Sequence, residues 1–270
     1  MIVWSLLVMA MAAMALGGCS PGPAEDSDRG STVHEVGLTV YGAASLEEVL
    51  AAIEVRYEQT QPGTNLTIAT GSSSALRIQI EQGAPADVFL AADTAQPRAL
   101  ADAGLTDGDP VRFAANELII IVPRDNPAGI HTPADLARTG VKVIAAGDEV
   151  PITGYAQQVI ANLATHPAYP PAFADGYAAN VVSAEENVKA VVAKVLLGEG
   201  DAAIVYRTDA LAATNVGTIE IPTEANVLAD YAGVVVGSSA RRAEAHALLD
   251  WLAAPAGQEV LASFGFLAPP

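Results

Sequence analysis

The chain has 270 residues, 51% of them hydrophobic, and its 13 Lys and Arg stand against 31 Asp and Glu, a formal net charge of −18. So acidic a chain excludes phosphate-backbone binding, which needs a basic face. So apolar a chain excludes general disorder, and a single cysteine excludes a disulfide framework or a cysteine-based zinc cluster.

The first 18 residues carry no charged side chain, and residues 2–16 are almost continuously apolar. The run is at the lower limit for a membrane span, which needs about 20 residues. It ends in Leu16-Gly17-Gly18-Cys19, the small residues of a signal-peptide cleavage site. The stretch resembles the lipobox of bacterial lipoproteins, so residues 1–18 are expected to be a signal peptide and Cys19 the lipidated mature N-terminus. Residues 19–36 begin with Pro, Gly, Ser and acidic residues and read as a solvated tether.

From Leu38 onward, β-rich runs alternate with helical patterns. Residues 38–41 read as a strand, and Leu46, Val49, Leu50, Ile53 and Tyr57 fall on one helical face. A strand at 66–68 and a helix through Leu76, Ile78 and Ile80 follow. A buried strand at 87–91 leads to a helix at 97–103 that stops at Gly104. Further strands are predicted at 117–122, 141–145, 181–182, 202–206, 218–221 and 233–236, with long helices at 155–164, 188–197 and 241–253. This alternation indicates an α/β fold with mostly parallel sheets.

Four turns each leave a strand and open a helix: Gly42-Ala43-Ala44-Ser45-Leu46-Glu47-Glu48, Gly71-Ser72-Ser73-Ser74, Val150-Pro151-Ile152-Thr153-Gly154, and Ser183-Ala184-Glu185-Glu186-Asn187-Val188-Lys189. Helix N-termini expose unpaired N–H groups and a partial positive charge, so they bind anions without formal cations. Small residues let a ligand approach the backbone, and serine hydroxyls add donors. The bland reading of the first turn is structural: Ser45 and Glu48 have capping-box spacing. Asp93 reads as a helix cap, and Tyr206 alone would be a core residue with its hydroxyl at the rim.

The phrase Tyr41-Gly42-Ala43-Ala44-Ser45-Leu46, then Gly71-Ser72-Ser73-Ser74, then Gly83-Ala84-Pro85-Ala86-Asp87-Val88-Phe89 with Ala92-Asp93, is similar to the periplasmic molybdate-binding proteins of ABC importers. Ala203-Ile204-Val205-Tyr206 with Thr208-Asp209-Ala210, and Phe264-Gly265-Phe266, continue the likeness to the C-terminus. The resemblance implies a two-lobed periplasmic-binding-protein fold of type II, each lobe a mostly parallel sheet flanked by helices. Two crossing segments, near 114–118 and 230–234, would form the hinge. Lobe 1 would hold residues 37–115 plus 235–270, and lobe 2 residues 116–234. The implied ligand-binding residues are Ser45 and Ser73 through hydroxyl and amide, Ile152 (or its neighbour Thr153) and Val188 through backbone N–H, and Tyr206 through its phenol.

All five are neutral donors. A fully ionised tetrahedral dianion presents only acceptors, whereas a protonated phosphate brings an O–H that such a cage leaves unpaired, at about 1–3 kcal/mol. The donor set therefore disfavours phosphate, and the resemblance implies molybdate or tungstate as the ligand, with sulfate weaker and phosphate weakest. Asp148, Glu185 and Glu186 are expected to face away. Neither a cofactor nor a metal cation is expected. The implied partners are the permease and ATPase subunits of an importer and, through the lipid, the outer face of the cell membrane; a monomer is expected. Competing readings are a binder of sulfate or another oxyanion, an extracytoplasmic serine hydrolase using Ser45 or Ser73, and a structural surface protein. H-E-x-x-H, G-x-G-x-x-G, Walker and G-x-S-x-G motifs are absent, and His34, His131, His166 and His246 lack metal-ligand spacing.

Overall fold

The computed structural model describes residues 36–270; the leader, Cys19 and the tether up to residue 35 lie outside the described residues. The chain opens with three strand–helix units: β1 (Val36–Ala43), a 3-10 turn (Ala44–Leu46) and α1 (Glu47–Thr60); β2 (Thr64–Gly71) and α2 (Ser73–Glu81); β3 (Val88–Ala91) and α3 (Ala95–Asp102). The long β4 (Val111–Pro123) leads to β5 (Val143–Ala146), α4 (Pro151–Thr165), α5 (Phe173–Asn180), β6 (Val181–Glu185), α6 (Val188–Leu196), β7 (Ala203–Tyr206), α7 (Arg207–Ala212) and β8 (Val216–Ile219). The strand β9 (Leu228–Val235) then returns, followed by α8 (Arg242–Ala253) and α9 (Pro255–Ser263).

β1 is the centre of a parallel group, pairing with β2 on one side and β3 on the other. β9 pairs antiparallel with β3 through Ala232–Val235 and with β4 through its earlier residues. The strand β4 changes partners within its own length: residues up to Glu117 pair with β9, and from Leu118 onward it pairs with β7 and β8. Beyond it lie the parallel pair β5–β6, linked to the β7 approach by a Val143–Ala202 bridge. At the change of partners, the Asn226 side chain accepts from Leu118 N–H (3.3 Å) and donates to Leu118 C=O (2.9 Å), standing in for a strand neighbour. The result is an α/β fold with parallel groups on either side of two long antiparallel strands.

The helical face predicted for α1 is the face it buries: Val49, Leu50, Ile53 and Tyr57 pack under the sheet. A Cβ on Gly42 would overlap Leu50 Cδ1, so glycine lets the end of β1 sit directly on α1 and fixes where the first turn begins. Four expectations need correction. β9 starts at Leu228 rather than 233, its first half pairing with β4. β4 starts at Val111 rather than 117, because Val111–Asn116 pairs with β9 across a bulge at Arg112–Ala114 that spoils the period-2 pattern. β8 lies two residues earlier than predicted, in register with Ile120–Pro123. α5, α7 and α9 were hidden by shortness or by an opening proline; Pro255 serves as the first residue of α9, where no N–H is required.

Candidate functional site

The carboxyl ends of β1, β2, β3 and β7 and the starts of α4 and α6 converge on a small cavity. Its lining comprises Ala43, Ala44, Ser45, Gly71, Ser72, Ser73, Ala92, Val150, Pro151, Ile152, Val188 and Tyr206. All five residues expected from the sequence are among them, and none of the twelve carries a formal charge. The space is small, about 10 Å³. Of the larger cavities among the described residues, the one of about 410 Å³ shares Ile152 with it and the one of about 510 Å³ shares Ser45. The former is walled mainly by Ala and Ile beneath α4, and neither gathers helix starts from several directions as the small one does.

The two serines are held in different ways. Ser45, in the 3-10 turn and 4% exposed, has its Oγ 2.8 Å from Tyr231 Oη. The Asn116 side chain faces the same phenol and donates to Thr208 Oγ1 at 2.9 Å. Ser73, at the first position of α2 and 1% exposed, accepts from the Ala92 N–H at 3.0 Å. A hydroxyl that accepts from an amide still carries its own proton, and that proton is free to be given to a guest. Ser72 and Ser74 pair with one another at 2.6 Å.

The capping-box reading of the first turn is corrected. Ser45 bonds Tyr231, the side chain of Glu48 goes to Lys189 Nζ, and α1 has no side-chain cap. Asp93 does act as a cap, accepting from Gln96 N–H at 2.9 Å, and burial raises its carboxyl above the usual range.

On the opposite wall the donors expected from the sequence are backbone amides, and both Ile152 and Val188 line the cavity. α4 starts with Pro151 after Val150, and its first turn has no intrahelical acceptors for its N–H groups. Thr153 spends its donors locally, its N–H on Val150 C=O (3.0 Å) and its Oγ1 on Ala146 C=O (2.9 Å). Of the two neighbouring candidates, Ile152 lines the cavity and Thr153 does not. In α6, the Asn187 side chain caps Ala190 N–H at 3.0 Å, which leaves the Val188 amide at the helix start. The side chains of Ile152 and Val188 are buried in the core, so packing fixes the position of each amide.

Tyr206 closes the ring of donors. It is 1% exposed, it lies edge-on to Tyr155 and Tyr231, and its hydroxyl has no hydrogen-bond partner within the protein. Burial, reinforced by the neighbouring phenols and carboxylates, raises its pKa well above the ordinary value, so it remains an O–H donor. A buried hydroxyl left unpaired costs about 1–3 kcal/mol, which a ligand oxygen would recover.

The nearby acids do not line the small cavity. Glu185 engages Ser183 and Lys194, whose hydrogen bonds lower its pKa. Asp148 lines the cavity beneath α4, and Glu186 is not among the lining residues of the small cavity. Among the described residues, no cluster of His, Cys, Asp and Glu could hold a metal ion. Sequence reading missed Tyr231 and Asn116, which orient Ser45; nothing in the apolar run around Tyr231 marks it out.

An α/β frame of this topology, with neutral donors converging between its parallel groups, defines a type II periplasmic-binding-protein architecture. Residues 38–267 match the family described as bacterial extracellular solute-binding protein, and the chain belongs to that family. The molybdate-binding protein ModA of Mycobacterium tuberculosis is 36% identical over 264 residues, 97% of each chain. Among solved structures, the periplasmic molybdate-binding protein of Azotobacter vinelandii superposes with a TM-score of 0.73 at 22% identity, over 86% of this chain and all of that one. The sulfate-binding protein SubI of Mycobacterium tuberculosis gives 0.77 at 19% identity, over 86% of each chain. The last two share the fold while their names specify different anions, so chemistry at the cavity has to decide between guests.

Proposed function

We propose that this protein captures a tetrahedral oxyanion dianion, molybdate or the isosteric tungstate, and presents it to an ABC importer in the cell membrane. The observation that carries the reading is the cavity of neutral donors with the unpartnered Tyr206 hydroxyl on its wall. Ser45, Ser73 and Tyr206 would donate through O–H, and Ile152 and Val188 through N–H. The starts of α2, α4 and α6 add the positive ends of three helix dipoles, which balance a dianion without a cation in contact. Every donor is matched by an acceptor on a fully ionised guest, and no lining side chain is a carboxylate that would accept a phosphate proton. The likeness to ModA, along nearly the whole chain, favours molybdate over sulfate. Neither serine contacts a histidine, since their partners are Tyr231 and the Ala92 amide, which argues against a hydrolase. Binding needs no cofactor in this reading, and one chain suffices for it.

Capture would shift the molecule towards a closed form that the importer's membrane subunits recognise. Lipid on Cys19 would hold the protein at the membrane's outer face. Mass spectrometry of the membrane-extracted chain should show a diacylglyceryl adduct that Cys19→Ser abolishes.

Calorimetry with molybdate, tungstate, sulfate and phosphate tests the ligand. Molybdate and tungstate should bind tightest and phosphate weakest, and phosphate affinity equal to molybdate's would refute the donor-only account. At 100 times Kd, molybdate should add about 2.7 kcal/mol of stability, visible in a melting scan. Labelling of Ser45 or Ser73 by a fluorophosphonate would favour the hydrolase instead.

A further inference from the structure

One charged cluster lies immediately behind the cavity, and the anion reading does not use it. Lys189 follows Val188 in the first turn of α6. Its Nζ is 2.7 and 2.6 Å from the two carboxylate oxygens of Glu48 and 3.1 Å from Asp209 Oδ1. A cation at the start of a helix opposes the helix dipole, so the two acids account for its placement there. The Asp209 side chain is fully buried, and burying a carboxylate without a counter-ion is expensive. Neither Asp209 oxygen reaches full hydrogen-bond geometry, yet Lys189 and the Tyr206 backbone N–H both face it.

Each member stands beside a proposed donor. Glu48 is three residues after Ser45, Lys189 one after Val188, and Asp209 three after Tyr206. Lys189 and Asp209 belong to α6 and α7, among the elements beyond β4, whereas Glu48 belongs to α1, packed on the β1 group. The Lys189–Asp209 contact is internal to one side of the cavity; the Lys189–Glu48 contact spans it.

Resting on the proposed anion capture, we propose that Lys189 and Glu48 form a latch across the cavity, with buried Asp209 anchoring the lysine, and that they are positioning residues for the closed form. Rotation that opens the cavity moves α1 away from α6 and breaks the Glu48 contact, while the Asp209 contact survives. The closed form alone has the spanning ion pair, so the pair slows release of the guest without touching it. Because Glu48 is 44% and Lys189 22% exposed, salt partly screens the contact.

Glu48→Gln is the primary test, because the side chain is partly exposed and the buried Lys189–Asp209 pair is left intact. Molybdate should dissociate about two- to five-fold faster from this variant than from the parent chain at low salt. The difference should shrink as salt is raised towards 1 M, where the screening length is about 3 Å. Lys189→Met should quicken release as well, and Glu48→Gln on top of it should add nothing. Independently of any ligand, spin labels on α1 and at the end of α6 (Val55→Cys and Leu197→Cys, both exposed, with Cys19→Ser) report the distance across the latch. Glu48→Gln should move the anion-free distribution to longer values. Wild-type release rates at all salts together with an unchanged distribution would overturn the latch. If the parent chain binds none of the four anions, the functional reading falls and the distance measurement still judges the latch.

Discussion

The two walls of the cavity solve one problem with different parts. On the wall built from β1 and β2, the proposed donors are serine hydroxyls, each held by a protein partner: Tyr231 for Ser45 and the Ala92 amide for Ser73. On the wall built from α4 and α6, the proposed donors are amides whose own side chains, Ile152 and Val188, are buried in the core. The serine wall is specified by side-chain chemistry, and the amide wall by backbone path and packing. Substitutions should therefore act on function at the first wall and on stability at the second.

The sharpest test removes the serine wall. Ser45→Ala with Ser73→Ala takes away two bonds to a charged guest, at about 1.5–3 kcal/mol each, so titration should show affinity lower by about two to four orders of magnitude. Tyr206→Phe should cost about ten- to a hundred-fold in affinity, one such bond. Because that hydroxyl has no protein partner, the melting temperature of the anion-free chain should not fall. A Tyr206→Phe variant that melts lower without ligand would mean the hydroxyl is already satisfied.

The amide wall should respond the other way. Val188→Ala keeps the N–H and should hold affinity within about threefold, while denaturant unfolding shows a loss of about 1–3 kcal/mol for the truncated core side chain. A large loss of affinity with unchanged stability would break the distinction between the walls.

The smallest effect concerns Asp209, whose pKa is raised to about 6, first by burial, against the opposing pull of Lys189. The folded chain then holds this proton at pH values where the unfolded chain has lost it. Its contribution to stability is fully present below the unfolded value of about 4 and is lost as pH rises through 6. Unfolding measured from pH 4 to 7 should show the parent losing stability relative to Asp209→Asn as pH rises, by at most about 1.4 kcal/mol per pH unit.

The same contrast explains what could be read in advance. Ser45 and Ser73 are conspicuous because small hydroxyl residues between a strand and a helix are chemically marked. Ile152 and Val188 look like any core residue, and only the family likeness singled them out; their role depends on a backbone direction that residue type does not encode. The choice between Ile152 and Thr153 needed the hydrogen bonds that occupy Thr153. The Ser45–Glu48 spacing was misread because a local cap and a pair of long-range contacts use the same residues. β1, α1 and the strand-to-helix turns were legible from periodicity, whereas the first half of β4 was not, because its bulge breaks alternation.

Asn226 has a mechanical consequence. Where β4 leaves β9 and takes up β7, the strand is gripped by a side-chain amide that both gives and receives, at Leu118. A side chain can swivel about its own torsions while keeping such a grip, which a paired strand cannot do without shearing its ladder. Asn226→Leu would remove both bonds at the point where β4 changes partners without altering any residue that lines the small cavity.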